Sequence, residues 1–371
     1  MIRLMRDDPS RIDPLSLLTT AKIAATLDIV CPIPQYIRAT GDATLTITEN
    51  CVIAVGDAIF KTESGDSLTA SQLDAGTFQI GRDYYIYVCD DGSSNRGEYR
   101  ISLNSTFPGG FTAANSRKIG GFHFGVARRT NDRDEPINTS GVAFGAGWEA
   151  NVYNGIVPKS VWTLKHRPKC TPEGMVYAGN GLWVDIYLSS SDGAGGIQSA
   201  HGIVPVTGTE GFDWYTFVER LRTIGKRLPT HTEWITAAYG APQGLADSND
   251  NAWSRSAAPA NNARNIAGGV ARAVSAIGCR DTTGNVWEWN DELVTRYDAT
   301  GANAIGTFRW FDLVGAGNGQ VHLNSPTQII SLISGGGWNN GVNAGSRCVH
   351  AAVQPWHVGT SVGARGVSDS L

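Results

Sequence analysis

Apolar and polar residues alternate through residues 43–60 (ATLTITENCVIAVGDAIF), a run rich in β-branched side chains that breaks at Gly56. Alternation sends successive side chains to opposite faces of an extended chain, so this pattern predicts short strands. It recurs in RDYYIYVCDDG (82–92), closed by an Asp-Gly turn pair, in GEYRISL (97–103), and in SRKIGGFHFG (116–125), which enters a glycine kink. Residues 1–125 therefore read as an all-β module. The polar, charged stretch that follows, including ARRTNDRDEPINTSG, has the composition of a linker or long loop over residues 126–159.

Further on the period changes. In DWYTFVERLRTIGK (213–226), Asp213 stands at an N-cap, and Trp214, Phe217, Val218 and Leu221 fall on one helical stripe that Gly225 ends. In PTHTEWITAAYG (229–240), Thr230 and Glu233 have the spacing of a capping box, which predicts a second short helix to Gly240. MVYAGNGLWVDIYLSS (175–190) reads as a turn followed by a strand, with Trp183, Asp185 and Tyr187 on one face and Val184, Ile186 and Leu188 on the other. Residues 160–371 thus form an α+β domain.

Composition narrows the function classes. At 371 residues the chain is long enough for two domains, and a net charge of −4 gives no electrostatic footprint for nucleic acid or anionic lipid. No apolar run reaches membrane-spanning length, and charges and prolines interrupt MIRLMRDDPSRIDPLSLL where a signal peptide would need its apolar core, so a cytoplasmic origin is expected. Cys31, Cys51, Cys89, Cys170, Cys279 and Cys348 show no CxxC pair or zinc spacing. They read as free thiols, with a disulfide between distant pairs left open.

KRLPTHTEW (226–234), CRDTTGNVWEWNDE (279–292), ISGGGWNN (333–340) and GARG (363–366) occur in an order that resembles the formylglycine-generating-enzyme type of C-type lectin fold. The resemblance covers about residues 160–371 and implies two helices packed on short antiparallel sheets. The enzymes of this type use a cysteine pair after the G-G-S-W strand; here that stretch offers Cys348 alone, and a copper thiolate site needs two soft ligands close together. The chain is therefore expected to be no enzyme and to carry no cofactor, an oxidase on the same fold being the alternative. The other branch comprises variable proteins of diversity-generating retroelements, including phage tail-tip receptor-binding proteins. GIVPKSVWTLKHRP (155–168) is similar to tail-fibre members of that group. That likeness implies a receptor binder of the virion tail, present in the cytoplasm before assembly, as a homotrimer, with a protein or glycan on a target cell surface as partner. An invariant structural tail protein is the remaining alternative. Gly337 and Ala364 depart from the usual Ser and Phe.

In this group the segment before the final G-x-R is the mutated window, here about residues 337–362. Between Asn324 and Gly363 the one formally charged side chain is Arg347. Gly- and Asn-rich sequence makes poor core because its backbone needs partners, so the segment reads as displayed surface, with aromatic and His groups among small residues in the manner of a paratope. Adenine-directed mutation of an AAC codon reaches Asn, His, Ser, Gly, Val and Ala but neither Trp nor Gln. The candidate variable, ligand-contacting residues are therefore Asn339, Asn340, Asn343, His350, Ala352, Val353, His357, Gly359 and Ser361, and the candidate scaffold of the face is Trp338, Arg347, Trp356 and Arg365.

Competing motifs are weaker. His350 and His357 lack a nearby carboxylate to complete a metal site, so none is expected. GTSVG (359–363) has the form of a nucleophile elbow, but no His follows Ser361. Trp289-Asn290-Asp291 spells a lectin calcium tripeptide without the companion carboxylates calcium requires; a strand end with Asn290 bonded to backbone is the expectation. VGAGNGQ (314–320) is a glycine-rich loop.

Overall fold

Three antiparallel sheets account for the alternating patterns of the first third of the chain. The computed structural model describes residues 29–92, 97–243, 264–297, 308–311, 321–324 and 326–371. Ile29–Val30, Val52–Val55 and Ala58–Lys61 form one sheet, and Ile37–Gly41, Thr44–Ile47 and Ser67–Leu68 a second. The run 43–60 is thus cut into separate strands, with Gly56 in left-handed backbone at φ 55°. A third sheet runs in the order Val152–Ile156, Ser116–Arg128, Arg82–Asp90, Gly97–Ser102, and Trp162–Thr163 also pairs with Ser116–Arg128. Glycine is required where that last strand crosses: a Cβ on Gly120 would strike the Trp162 carbonyl, and one on Gly121 the Tyr84 carbonyl. One core of aliphatic and aromatic side chains, from Ile29 to Val161, lies between these sheets.

The expected boundary at residue 125 falls inside the strand Ser116–Arg128, and the strand Val152–Ile156 from the expected linker completes the sheet. Buried Arg128 ties this segment down by donating to the carbonyls of Trp148, Val274 and Arg272. Polar composition suggested a loose connector because it does not reveal where such donors go. A cluster of Tyr85, Tyr87, Trp162, Met175 and Trp183 continues from this sheet into the remainder of the chain.

In that remainder, Met175–Gly179, Leu182–Asp185 and Val367–Asp369 form a three-stranded sheet that brings the last residues back beside its start; Leu371 N–H donates to the Arg167 carbonyl. A four-stranded sheet runs Val349–Val353, Pro326–Ser334, Trp287–Tyr297, Val362–Gly363, the last pair parallel. The balance is mostly β: among the described residues the α-helices are Trp214–Thr223 and His231–Ala238. The first is capped by the Asp213 carboxylate, which accepts from Thr216 N–H, and buries Trp214, Phe217 and Leu221. The second has the reciprocal Thr230–Glu233 capping box and buries Trp234. None of the described helices is long and apolar enough to cross a membrane.

One expectation is extended and two change. Leu182–Asp185 is buried on both faces, and Asp185 takes the Lys226 ammonium at 2.5 Å. Cys31 and Cys51 are joined in a disulfide, leaving Cys89, Cys170, Cys279 and Cys348 as thiols. Asn290 is buried but its side-chain oxygen accepts from the Ser334 hydroxyl at 2.6 Å, and it is its carbonyl that takes Trp214 Nε1. The loop 314–320 and the first 28 residues lie outside the described residues.

Candidate functional site

The motifs of the C-terminal half meet beneath one face. Glu288, inside GNVWEW, and Arg365, inside GARG, have fully buried side chains and form a two-pronged pair, Nε to Oε2 2.6 Å and Nη2 to Oε1 2.8 Å. Burial works against the Arg365 charge, but the Glu288 carboxylate outweighs it and holds the guanidinium pKa above its ordinary value. The remaining donors of Arg365 reach the carbonyls of Asp185, Ile186 and Arg280. A single side chain thereby pins four stretches together, with every donor used as a buried charge requires.

The chain enters the window through Gly335 and Gly336, in left-handed backbone at φ 93° and 89°. A Cβ on Gly336 would come within 2.7 Å of Ala344 Cβ, so the doubled glycine permits a tight return of the chain. Trp338 N–H donates to the Asn285 carbonyl, Gly345 N–H to that of Gly335, and Gly335 N–H to that of Cys348. Val349–Val353 then forms the edge strand of the four-stranded sheet.

The loop 354–361 is fixed differently. Trp214 N–H, at the start of its helix, donates to the Pro355 carbonyl at 3.0 Å, and Gly208 N–H to the Gly359 carbonyl at 3.1 Å. His357 N–H returns to Gln354, Val362 N–H to Gly359, and Trp287 N–H takes the Ser361 carbonyl. These anchors are all main chain. The exposed side chains of Trp356, His357, Val358 and Thr360 can change without removing these bonds.

The candidate residues divide by placement. Asn339, Asn343, His350 and His357 are exposed; Asn340 and Ser361 are half-buried, with the Asn340 side-chain oxygen engaged by Gly337 N–H at 2.7 Å. Val353 is 9% exposed and packs in the core with Trp289 and Ile333, and Gly359 is buried under the 207–211 turn; display is not their role. The strand register brings Val353 opposite Ser331, which turns it inward. The side chain of Ala352 lies outside the described residues. Within the expected scaffold, Arg365 is fully buried and Trp338 is half-buried against the second core cluster. Trp356 is instead 59% exposed, and Arg347 is also exposed. Both side chains stand at the surface rather than within the packed frame.

Sequence reasoning missed Val342, Val349, Val358 and Tyr215, all exposed large apolar residues on or beside this segment. For the three valines the signal was a run with one charge that still carries aliphatic side chains. The His350 ring lies 5.8 Å from that of Trp287, which floors this part of the face. Burial raises the pKa of the Cys348 thiol, and that of Cys279 to about 12, so both stay protonated at neutral pH.

Comparison with known proteins matches two overlapping regions of the chain. Residues 35–149 match the Mtd second domain, and residues 96–370 match the sulfatase-modifying factor enzyme 1-like domain. The tail fiber receptor-binding protein of Bordetella phage BPP-1 is 29% identical over 357 residues, covering 90% of this chain and 81% of that protein. Among solved structures, the Major Tropism Determinant M1 variant superposes with a TM-score of 0.69 at 23% identity, over 94% of this chain and 87% of that one. The U1 variant gives 0.64 at 24%, over 91% and 83%. The two superpositions establish a mostly β architecture with a C-type lectin-like C-terminal half.

Proposed function

The chain belongs to the family of the sulfatase-modifying factor enzyme 1-like domain, which spans residues 96–370, and on that frame we propose a non-catalytic tail-fibre receptor-binding protein. Its C-terminal face contacts a receptor on the surface of a target cell, and a retroelement diversifies the side chains on that face. The relative from Bordetella phage BPP-1 is a tail fiber receptor-binding protein by name, and the matched regions run from residue 35 to 370, both halves of this chain.

The observation that carries this reading is the main-chain anchoring of residues 354–361. A diversified surface must tolerate many side chains on one backbone, and a loop held by Trp214 N–H and Gly208 N–H satisfies that condition. Trp356 and Val358, 59% and 52% exposed, offer the rigid apolar contact area on which recognition depends. The finer division supported by the core clusters is an all-β N-terminal module carrying the lectin-like domain, with the virion tail as its location. Assembly as a homotrimer would add avidity without new contacts.

The test is the DNA downstream of the Leu371 codon. A near-copy of the window-coding sequence, differing almost only at adenines and followed by a reverse-transcriptase gene, is the expected result. Its absence from the source genome would reject diversification at this locus.

A further inference from the structure

Against the first part of the window lies a groove of about 310 Å³, lined by Ala241, Gln243, Asn343, Ser346, Arg347 and Cys348 among others. One wall comes from the segment after the helix His231–Ala238, and the other from the window. The Gln243 amide donates to the Val342 carbonyl at 2.8 Å and fixes the two walls together. Its chemistry is one-sided. Among the described residues, Arg347 is exposed and makes no hydrogen bond or ion pair, Asn343 and Ser346 add an amide and a hydroxyl, and no carboxylate lines the groove. The Cys348 thiol, its pKa raised by burial, contributes no competing negative charge.

We propose that this groove receives an acidic side chain, Asp or Glu, of a protein receptor. The inference deepens the receptor-binding reading and rests on it. A guanidinium beside an amide and a hydroxyl can engage both oxygens of a carboxylate, which a lone ammonium cannot do. The surrounding face selects a protein over an acidic polysaccharide. Val342 and Val349, immediately before and after the lining residues 343–348, are exposed, and aliphatic groups match the apolar surface of a protein better than hydroxylated sugar. A repeating polyanion would call for several cations, whereas Arg347 is the one formal charge between Asn324 and Gly363. Ala241 and Gln243 lie outside the window, so one wall of the groove is fixed while the other changes.

The experiment presents the full chain to a randomised peptide library displayed on yeast and sequences the captured pool. The wild type is expected to enrich Asp and Glu, Arg347→Glu to bind that pool at least tenfold more weakly and to select Lys and Arg instead, and Arg347→Lys to retain part of the binding. Arg222→Glu, an equal charge change on an exposed helix position outside the groove, should leave the enrichment as in the wild type. A pool without acidic enrichment, an enrichment indifferent to Arg347→Glu, or the same shift from Arg222→Glu would overturn the inference. Arg347-dependent capture of acidic glycans on an array, without acidic peptide enrichment, would overturn the protein assignment. Trp356→Ala separates the two levels. If it abolishes capture while Arg347→Glu does not, the face stands and the acidic partner fails; if neither changes capture, the face itself fails.

Discussion

Arg365 and Glu288 meet as a fully buried, two-pronged ion pair 77 residues apart in sequence, Nε to Oε2 at 2.6 Å. Removing one partner of such a pair strands a charge in low dielectric and costs about 3–5 kcal/mol. Glu288→Gln should lower the unfolding free energy by that amount in urea titration. A loss below about 1 kcal/mol, the range of exposed pairs, would show that the GARG motif does not brace the domain through this contact.

Gly208 lies against the displayed loop so closely that a Cβ would overlap the carbonyl group of Val358. Gly208→Ala must therefore displace residues 354–361 or the turn beneath them, at about 1–3 kcal/mol for an overpacked contact. The expected signature is increased protease cleavage or amide exchange confined to 354–361. Unchanged protection there would contradict the anchoring role given to this turn.

Much of this was legible in advance where the code is local. Asp213 and the Thr230–Glu233 pair announce their helices because a cap is a contact between residues three apart. Three of the four motifs were legible for another reason: they hold Lys226, Glu288 and Arg365, buried charges whose partners are fixed, Lys226 with Asp185 and Arg365 with Glu288. The window was legible as a surface, but its individual residues were not. Between Ser331 and Ile333 the pairing shifts register, so alternation fails along Val349–Val353, where Val349 and His350 are both exposed while Val353 turns inward. Cys31 and Cys51 carried no signal because their pairing depends on how strands 20 residues apart are brought together.

That disulfide closes a loop with a sequence separation of 20 around two strands of the second sheet, Ile37–Gly41 and Thr44–Ile47. Constraining a loop of this size in the unfolded chain contributes about 3 kcal/mol. Cys31→Ser with Cys51→Ser should destabilise the N-terminal half by that order, read as an earlier denaturant midpoint for probes in residues 29–128. An unshifted midpoint for those probes would argue that the bond is dispensable.

Glu233 makes a prediction about acid. Its carboxylate accepts from both terminal nitrogens of Arg227 at 2.7 Å and from Thr230 N–H, and the Arg227 contact in particular holds its pKa below the ordinary value. A depressed folded pKa contributes stability above the unfolded value of about 4.3 that is lost as pH falls through the folded one. Both side chains are partly exposed, at 38% and 25%, so screening limits the effect to about 1 kcal/mol or less. Glu233→Gln should flatten this part of the stability profile between about pH 5 and pH 3; a profile identical to wild type would show that the pair does not titrate as described.

Trp338 and Trp356 stand in one window and should behave oppositely. Trp338 is half-buried against the cluster containing Val286 and Val367, so Trp338→Ala opens a cavity and should cost about 2–4 kcal/mol, somewhat less than a fully buried ring. Trp356 is 59% exposed on a loop held by backbone, so Trp356→Ala should leave the unfolding midpoint within about 0.5 kcal/mol of wild type. If it anchors the receptor, the same change should cost about 2 kcal/mol of binding, roughly thirtyfold in adsorption to target cells. The pair of measurements is decisive because each variant controls for the other. A destabilised Trp356→Ala would return this ring to the scaffold, and a stable variant with undiminished adsorption would remove the loop from the binding face.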